Sequence, residues 1–327
     1  MTTPKNTNSE FELIARHFMR PAANAVLGVG DDCALLNVTN GMDLAVSTDT
    51  MVSGTHFFPD VDPENLGHKA LAVNLSDMAA MGAMPYWAML ALTVPSVDHE
   101  WLAAFAKGFF DLATEFNVSL IGGDTTRGPL ALTVTIMGEV PAGAALRRSG
   151  AKAGHDVWVS GNIGDAALAV AHRNGKLVLA ESDYHEAVMR LYEPTPRVGL
   201  GQGLRGIATA AIDISDGLLA DLGHICRLSG VGATVDLASI PVSSIGGKHF
   251  GSDAGRNAIM AGGDDYELCF TAASNSRESI TEMAEGLGIP LTRIGQIKRG
   301  KGVSLLGPDG KAVKIDGRGY DHFSAPA

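Results

Sequence analysis

The sequence has few cysteines, few aromatic residues and an excess of acid over base. Its three cysteines, Cys33, Cys226 and Cys269, are far apart and form no C-x-x-C motif, which excludes a disulfide framework or a zinc knuckle. We interpret them as buried thiols in a reducing compartment. There are 25 lysines and arginines against 36 acidic residues, a formal net charge of −11. This balance argues against nucleic-acid or anionic-membrane partners, which require basic patches.

A long apolar run is also missing. The longest apolar stretches lie near Pro85 to Pro95 and are too short to cross a bilayer. The N-terminal segment, MTTPKNTNSE, is polar and holds no apolar core of the kind that signal peptides have. The sequence therefore predicts a cytoplasmic protein with no membrane partner.

The chain is long and apolar enough to form two domains. Of its 327 residues, 46% are apolar and 40 are glycine, well above the usual glycine share of about 7%. Many backbone positions must therefore turn sharply or approach a ligand closely. Strand and helix signals mix in both halves, which predicts an α/β or α+β fold. We place a domain boundary in the Ala- and Gly-rich segment from Pro141, giving domains of residues 1–140 and 141–327.

Caps and periodicity predict the main elements. Ser9 and Glu12 have capping-box spacing and start a helix that runs to about Arg20. Asp62-Pro63-Glu64 starts a helix to about Met81, and Asp98 caps one to about Asn117. Further helices are expected after 165 and at about 183–192, 197–208 and 217–228. Strands are expected at 34–38, 44–46, 86–94, 118–121, 131–140, 156–160, 210–214, 234–237, 267–271 and 291–297.

Six short motifs place carboxylates beside glycine, serine or threonine at the expected ends of these elements. They are Gly30-Asp31-Asp32, Ser47-Thr48-Asp49, Leu75-Ser76-Asp77, Gly122-Gly123-Asp124, Asp213-Ile214-Ser215-Asp216 and Gly262-Gly263-Asp264-Asp265. Solvated turns and helix caps use the same residues, and Asp216 falls where a helix cap is expected. Six recurrences favour a shared site for a hard cation instead.

Convergence of these motifs would create a magnesium-dependent phosphate site. The carboxylates of Asp32, Asp49, Asp77, Asp124, Asp213 and Asp216 could not all ionise side by side without cations. Oxygen ligands without a Cys–His cluster suit Mg²⁺, which keeps open positions for phosphate oxygens. The Gly-Gly pairs let backbone N–H groups approach a phosphate chain. The implied chemistry is phosphoryl transfer by positioning and charge neutralisation, with no protein nucleophile.

Two further residues have a functional and an ordinary interpretation. Arg148 is a candidate phosphate contact or a solvated charge, and His56 is a candidate substrate contact or a loop histidine. Gly201-Gln202-Gly203-Leu204-Arg205-Gly206 matches G-x-G-x-x-G, but a loop precedes it where a dinucleotide-binding fold needs a strand. The chain has no P-loop and no H-E-x-x-H motif.

Taken in order, the motifs resemble those of the thiamine-monophosphate kinase family over essentially the whole chain. The matching segments are Gly30-Asp31-Asp32-Cys33-Ala34, Ser47-Thr48-Asp49-Thr50, residues 69–77, Met81-Gly82-Ala83, residues 121–128, residues 148–152, residues 212–217 and Gly319-Tyr320-Asp321-His322-Phe323. The resemblance implies the two-domain fold of aminoimidazole-ribonucleotide synthetase, selenophosphate synthetase and a hydrogenase-maturation protein. In that fold, strands of the N-terminal domain pair across a homodimer.

The resemblance also implies a reaction and a role for each domain. The reaction is ATP-dependent phosphorylation of thiamine monophosphate to thiamine diphosphate, by direct in-line transfer with several Mg²⁺ ions. The N-terminal domain would bind metal and ATP, and the C-terminal domain would complete the site. Another ATP-dependent synthetase of the superfamily is an alternative, although the first 30 residues lack the reactive cysteine expected of a selenophosphate synthetase. A non-catalytic nucleotide- or metal-binding protein is the other alternative.

Site residues follow from the same resemblance. Metal ligands would be Asp32, Ser47, Thr48, Asp49, Asp77, Asp124, Asp213 and Asp216, of which Asp49, Asp124 and Asp213 are the expected catalytic residues. Contacts to ATP would come from Gly122, Gly123, Arg148 and Ser215, and contacts to the thiamine moiety or its phosphate from His56, Asp264 and Tyr320. Asp264 stands where the family motif G-G-E-D-Y-E-L has glutamate, so its reach is one methylene shorter. Phe109 and Phe110 are candidates for stacking on adenine or, at helical spacing, core residues.

Overall fold

The computed structural model describes residues 10–316 and 319–320. Residues 1–8, the predicted Ser9 cap and Asp321-His322-Phe323 lie outside the described residues. The chain divides into two compact units. One comprises Ala83–Gly143 and the described residues up to Met78, and the other comprises Ala79–Gly82 and the described residues from Ala144 onward.

The first unit is built on a four-stranded sheet. Its described elements are α1 (Glu10–Leu13), a π-helical turn (Ile14–Phe18), β1 (Met42–Val52), α2 (Pro63–Met81, all but its last turn), β2 (Met84–Val94), α3 (His99–Glu115), β3 (Ser119–Arg127) and β4 (Ala131–Pro141). The strand order is β1-β4-β2-β3, so β1 and β3 are the two edges. Only the β2–β3 pair is parallel.

One face of this sheet is covered and the other is open. Burial alternates along β4, where Val134 and Ile136 are fully buried while Thr133 and Thr135 are partly exposed. Helices α2 and α3 cross closely, since a Cβ on Gly67 would lie 2.0 Å from the Phe105 carbonyl oxygen. Glycine is needed at this crossing because no side chain fits there.

The second unit is built on a seven-stranded mixed sheet. Its described elements are β5 (Asp156–Ser160), α4 (Asp165–Arg173), α5 (Glu181–Tyr192), α6 (Val198–Gly203), β6 (Ala208–Asp213), α7 (Leu218–Ser229), β7 (Gly232–Asp236), α8 (Ser244–His249), α9 (Asp253–Ala261), β8 (Leu268–Ala272), α10 (Arg277–Leu287), β9 (Leu291–Lys298), β10 (Gly302–Leu306) and β11 (Ala312–Val313). The strand order is β11-β10-β7-β9-β5-β8-β6. Since β8 is antiparallel to both β5 and β6, these two strands end at the edge of the sheet where β8 begins.

The mixed α/β class is confirmed, and so are several element boundaries. The helix predicted from Asp62-Pro63-Glu64 ends at Met81, where Gly82 takes a φ of +66°. Asp98 caps α3 by accepting hydrogen bonds from the Glu100 and Trp101 N–H groups.

Three predictions in the first unit are wrong. The segment 34–38 is not a strand, since Leu35 makes only an isolated bridge to Leu27. Strand β1 does not end before Ser47-Thr48-Asp49 but continues to Val52, because β4 pairs with it over its full length. The strand predicted at 118–121 does not end there but continues to Arg127 as β3, paired with β2. In both strands, pairing with a neighbour overrides the local turn signal of Ser, Thr, Asp and Gly.

The prediction that all three cysteines are buried is also wrong. Cys226 and Cys269 are buried, but Cys33 is exposed. Burial raises the pKa of Cys226 to about 11, so this thiol is unreactive at neutral pH. Among the described residues, no helix is both long enough and apolar enough to cross a membrane.

Candidate active site

In the first unit, the structure brings Ser47 and Asp77 together. The Ser47 hydroxyl donates a hydrogen bond of 2.5 Å to Asp77 Oδ2 and so joins β1 to α2. Asp49 follows two residues later and lies on the same face of β1, where burial alternates along the strand. A hydroxyl and two carboxylates on one face form a set of hard oxygen donors, which is the chemistry that Mg²⁺ prefers.

Thr48 lies on the opposite face of β1. Its Oγ1 is 2.9 Å from Thr135 Oγ1, and the neighbouring pair Thr50 and Thr133 repeats the contact at 2.8 Å. These paired hydroxyls line the open face of the sheet. The predicted role of Thr48 as a metal ligand stays a prediction.

Asp32 lies in an exposed turn that precedes β1. Its N–H donates to Asp31 Oδ1 at 2.9 Å, which fixes the turn, and the following Cys33 is exposed as well. The Asp32 side chain is therefore accessible to a ligand in this unit.

His56 sits in the turn that follows β1. The ring Nδ1 of His56 accepts a hydrogen bond from the Val52 backbone N–H at 3.0 Å. The backbone N–H of His56 donates in turn to the Val52 carbonyl. With Nδ1 accepting, the neutral imidazole carries its proton on Nε2. The ring is thus held in the tautomer that donates from Nε2, which suits contact with an anionic oxygen.

The two glycines of β3, Gly122 and Gly123, differ in how far packing requires glycine at their positions. A Cβ on Gly123 would lie 1.8 Å from the Leu90 carbonyl oxygen, and its φ is +148°, so the approach of β2 alone requires glycine there. A Cβ on Gly122 would meet only the Met89 methyl, at an ordinary 3.5 Å. Packing therefore does not require glycine at 122, and its predicted contact with ATP stays a prediction. Asp124, the next residue along β3, is exposed.

Asp49 and Asp124 lie at opposite edges of the sheet of one protomer. A single row of paired residues connects Asp49 to Val134, then to Leu90, then to Gly123. Three strand spacings of about 4.8 Å make this path about 14 Å long. The structure does not bring these two carboxylates together within one chain.

In the second unit, Asp213, Ser215 and Asp216 lie where β6 ends and α7 begins. Asp213 is buried at the last position of β6, and the other two lie in the loop that follows. The interpretation of Asp216 as a helix cap is wrong, because α7 begins at Leu218 and Gly217 occupies the cap position. Within the described part of the chain, no side chain caps α7, and the acid in its first turn, Asp221, is bonded instead to the loop that precedes the helix.

Asp221 accepts hydrogen bonds from three backbone N–H groups of this loop. Its Oδ2 accepts hydrogen bonds of 3.1 Å from the N–H groups of Ser215, Asp216 and Gly217. Burial, reinforced by the charge of Asp216, raises the pKa of Asp221 to about 7.

The segment from Gly262 to Glu267 packs against the same loop. The Asp264 N–H donates to the Ser215 carbonyl at 3.0 Å, and the Tyr266 N–H donates to the Ile214 carbonyl at 2.8 Å. Asp264 and Tyr266 have φ values of +69° and +51°, which non-glycine residues rarely adopt. Such backbone strain persists only where the surroundings enforce it, and it is common at ligand sites.

Buried polar contacts anchor this segment at Asp265 and Glu267. Arg197 donates to both oxygens of Glu267, and the Ser160 hydroxyl donates to Glu267 Oε2 at 2.5 Å. Asp265 Oδ1 accepts from the Gly164 N–H at 2.7 Å at the start of α4. Burial raises the pKa of Asp265 well above its ordinary range.

Arg148 is exposed, and its segment is pinned against the end of α7. The Ser229 hydroxyl accepts hydrogen bonds of 3.1 Å from the N–H groups of Gly150 and Ala151. Burial lowers the pKa of His224, and the charges of Arg227 and Arg148 lower it further. The charge of Asp216 opposes these two effects, and the predicted phosphate contact of Arg148 stays a prediction.

Tyr320 is tied to the loop through its backbone. Its N–H donates to the Asp216 carbonyl at 3.1 Å, and its side chain is about half exposed. The ring is thus accessible beside the loop that carries Ser215 and Asp216.

The donor set fits Mg²⁺ without forming a complete cage. Among residues 10–316 and 319–320, no three His, Cys, Asp or Glu side chains are close enough to hold a metal ion. Mg²⁺ in phosphate-transfer sites is usually held by one or two carboxylates, with water and substrate phosphates filling the other positions. The Ser47–Asp77 pair, with Asp49 on the same face, matches that requirement.

Sequence reasoning missed Asp221 and the role of Glu267. An acid four residues into a helix that follows a Ser-Asp-Gly loop is a usable signal for the first. The contact of Glu267 with Arg197 spans 70 residues, so no local pattern indicates it. Phe109 is fully buried against Phe105, so stacking of Phe109 on adenine is wrong and the core interpretation is confirmed.

Comparisons with known proteins place these features in a family. The family described as AIR synthase related protein matches with its N-terminal domain over residues 30–140 and its C-terminal domain over residues 152–307. The thiamine-monophosphate kinase of Salmonella typhimurium is 49% identical over 322 residues, which cover 97% of this chain and 99% of that protein.

Two solved structures extend the likeness to the fold. The crystal structure of thiamine-monophosphate kinase from Stenotrophomonas maltophilia has a TM-score of 0.83 and 48% identity, covering 93% of this chain and 96% of its own. A ThiL complexed with AMPPCP and TMP has a TM-score of 0.76 and 26% identity, covering 99% of both chains.

Proposed function

We infer the function from one premise: the chain belongs to the thiamine-monophosphate kinase family, within the AIR synthase related proteins. It is an ATP-dependent kinase that phosphorylates thiamine monophosphate to thiamine diphosphate. The observation that carries this conclusion is the 49% identity with a relative of that name over nearly the full length of both proteins. A ThiL of the same fold was solved with AMPPCP and TMP bound, which supports ATP and thiamine monophosphate as the substrates.

In the first unit, we propose that β1, β3 and the turn after β1 hold the reacting phosphates. The backbone of Gly122 and Gly123 approaches the phosphate chain of ATP, and His56 donates from Nε2 to the acceptor. The Ser47–Asp77 hydrogen bond supports this proposal, because it keeps the carboxylate oriented before any ligand binds. Transfer then depends on positioning, since the phosphate of thiamine monophosphate is itself the nucleophile.

In the second unit, we propose that Ser215 and Arg148 contact ATP, while Asp264 and Tyr320 contact the acceptor. The thiazolium ring of thiamine is cationic, so a carboxylate and an accessible aromatic ring suit it. The strained backbone of Asp264 and the half-exposed ring of Tyr320 support this assignment. That acids of both units serve a single site stays a prediction.

Several Mg²⁺ ions are proposed to be bound by Asp32, Ser47, Thr48, Asp49, Asp77, Asp124, Asp213 and Asp216. When bound, Mg²⁺ neutralises the charge of the phosphates and lets two anionic substrates approach each other. Direct in-line transfer is the reaction course that such positioning favours.

We also propose that the protein is a homodimer formed through the first unit. The open face of its sheet exposes apolar side chains, with Val46 56% and Met89 39% exposed. The edge strand β1 is 11 residues long, and such an edge is usually paired or covered in natural proteins. Pairing of β1 with the partner's β3 edge would bring an Asp49 next to an Asp124, which one chain cannot do.

The experiment that tests the function is a product assay. Purified protein with MgATP and thiamine monophosphate should yield ADP and thiamine diphosphate, detected as its fluorescent thiochrome derivative. Removal of divalent ions with EDTA should abolish the reaction, and added Mg²⁺ should restore it. Turnover of ATP with a different acceptor and none with thiamine monophosphate would overturn the assignment.

No specific observation favours another synthetase of the superfamily. The likeness to a hydrogenase-maturation protein, at 20% identity, concerns the fold alone. A cytoplasmic location stays a proposal, and cell fractionation with an antibody to the protein tests it.

A further inference from the structure

Backbone hydrogen bonds connect the loop Ser215–Gly217 to three neighbouring segments. Its three N–H groups all point at one oxygen of Asp221, with equal distances of 3.1 Å. This arrangement resembles the nests of successive N–H groups that bind phosphate. Here an internal carboxylate occupies the nest, so the loop is left to contact ligands through its side chains.

The carbonyl groups of the same loop accept hydrogen bonds from Asp264 and Tyr320, the two residues proposed to contact thiamine monophosphate. The Ser215 carbonyl accepts from the Asp264 N–H at 3.0 Å, and the Asp216 carbonyl accepts from the Tyr320 N–H at 3.1 Å. Residues proposed to contact ATP and metal are therefore bonded, peptide to peptide, to residues proposed to contact thiamine monophosphate. Asp221 fixes the one loop that both groups share.

We propose that Asp221 is a positioning residue for phosphoryl transfer, because its carboxylate sets the conformation that aligns the nucleotide side of the loop with the acceptor side. The inference rests on the function proposed above and extends it to a residue that touches neither substrate. A side chain at 221 that lacks an oxygen acceptor frees three N–H groups at once, and a neutral acceptor holds them more weakly than a carboxylate. The loop then shifts relative to Asp264 and Tyr320, so that binding of both substrates weakens together.

Two substitutions of Asp221 distinguish the effect of its negative charge from the effect of its oxygen acceptor. Asp221→Asn keeps an oxygen acceptor of the same reach but removes the charge, whereas Asp221→Ala removes the acceptor. Hydrogen bonds to a charged group are roughly twice as strong as neutral ones. We expect kcat/KM for ATP and for thiamine monophosphate to fall about 10-fold in the Asn variant and about 100-fold or more in the Ala variant.

Asp236→Asn is the matched control. The Asp236 carboxylate likewise accepts a backbone N–H, from Ala238, but Asp236 is the last residue of β7, four strands away from β6. This variant should retain wild-type kinetic constants for both substrates. A general effect of removing a capping carboxylate would instead lower its activity as well.

The kinetic experiment is joined to a thermal unfolding scan and to amide hydrogen exchange of residues 214–217 and 264. A graded loss, with Asn retaining more activity than Ala, and at least about 10-fold faster loop exchange in Asp221→Ala support the proposal. Wild-type kinetic constants for both substrates in both Asp221 variants overturn it, even if the variants melt at lower temperature. If the wild-type protein fails to phosphorylate thiamine monophosphate, the proposed function fails, and unchanged loop exchange in Asp221→Ala separately overturns the positioning role.

Discussion

At the scale of single residues, Asp264 shows how a family difference and a backbone conformation go together. Its φ of +69° lies in the left-handed region, which aspartate and asparagine tolerate better than longer side chains because their polar groups bond locally. Glutamate, which the resemblance suggests at this position, fits that conformation less readily. The shorter acid suits a segment whose backbone is fixed by the Ser215 carbonyl.

Asp264→Asn should weaken acceptor binding selectively. Asparagine accepts the same φ and can still accept the hydrogen bond that Tyr266 donates at 3.2 Å, so folding should be unaffected. Loss of the carboxylate opposite a cationic thiazolium should raise KM for thiamine monophosphate about 10-fold. KM for ATP should change by less than about twofold. Steady-state kinetics with each substrate varied in turn measures both constants.

Asp253→Asn serves as the control for that substitution. Its side chain is 93% exposed at the start of α9, where it pairs with Arg256. An exposed pair of this kind contributes little to stability, so neither KM should move. If Asp264→Asn changes KM for ATP and KM for thiamine monophosphate equally, Asp264 acts on the loop Ser215–Gly217 as a whole and not on thiamine monophosphate.

At the scale of elements, the two glycines of β3 give opposite predictions. Gly123→Ala should disrupt the pairing of β3 with β2, since its Cβ would lie 1.8 Å from the Leu90 carbonyl oxygen. Gly122→Ala should fold normally, because its Cβ has only an ordinary contact. If the backbone of Gly122 approaches the phosphates, the methyl group should raise KM for ATP about 10-fold or more.

Thermal unfolding and nucleotide binding separate these outcomes. Gly123→Ala should show a lower melting temperature or low yield of folded protein, by a steric mechanism that costs several kcal/mol, roughly. Gly122→Ala should melt within a few degrees of wild type, roughly, as expected for a substitution without a clash. Wild-type affinity of Gly122→Ala for MgATP would place the phosphate chain elsewhere.

The segment before the first strand carries a pH-dependent contact. His17 is buried against α3, with its Nε2 3.1 Å from His99 Nδ1. Burial lowers the pKa of His17, and the nearby charges of His99, Arg16 and Arg20 lower it further. Two imidazoles can share one hydrogen bond only while one of them is an acceptor, so full protonation breaks the contact.

Acidification should therefore destabilise this segment. A histidine whose folded-state pKa is lowered takes up its proton more readily in the unfolded state, so stability is complete above about pH 6.5 and declines as pH falls from there toward the folded pKa. His17→Gln removes the titrating group and should flatten that dependence. Melting temperatures of both proteins from pH 7.5 to 5.5 test this. Parallel decline in the two proteins would assign the pH effect to other groups.

Elements with strong local signals were predictable from the sequence, and elements set by distant pairing were not. Asp62-Pro63-Glu64 and Asp98 indicate helix starts because caps act within one turn. The extension of β1 through Ser47-Thr48-Asp49 depends on β4, some 85 residues later, so local composition indicates a loop there. In the site, the acids could be named from repeated motifs, whereas Asp221 and the Arg197–Glu267 pair emerge only from the fold.

At the scale of the whole molecule, the sheet of the first unit has one open face and two edges that no other described strand covers. Asp49 lies on one edge strand and Asp124 on the other, separated by about 14 Å along the sheet. The open face carries paired threonines beside exposed apolar residues such as Val46. The proposed two-fold dimer, in which β1 pairs with the partner's β3, would cover these surfaces and create two equivalent sites.

Such shared sites predict complementation between two inactive variants. Asp49→Asn and Asp124→Asn should each fold and lose most turnover, since each dimer then carries one damaged ligand in both sites. A heterodimer of the two variants has one site with both substitutions and one site with neither. Random exchange makes half of the dimers mixed, so activity should return to about a quarter of the wild-type level.

Co-expression of the two variants, each with a different affinity tag, allows the mixed dimers to be purified and their activity to be measured directly. Dimers carrying both tags should reach about half of wild-type kcat, because one of two equivalent sites is intact. Doubly tagged dimers in which both subunits carry Asp49→Asn are the control. Both of their sites are damaged, so they should stay inactive. Absence of recovery in mixed dimers would mean that Asp49 and Asp124 serve the same chain. The 14 Å between the two edges would then have to be bridged by the phosphates and separate metal ions of one protomer.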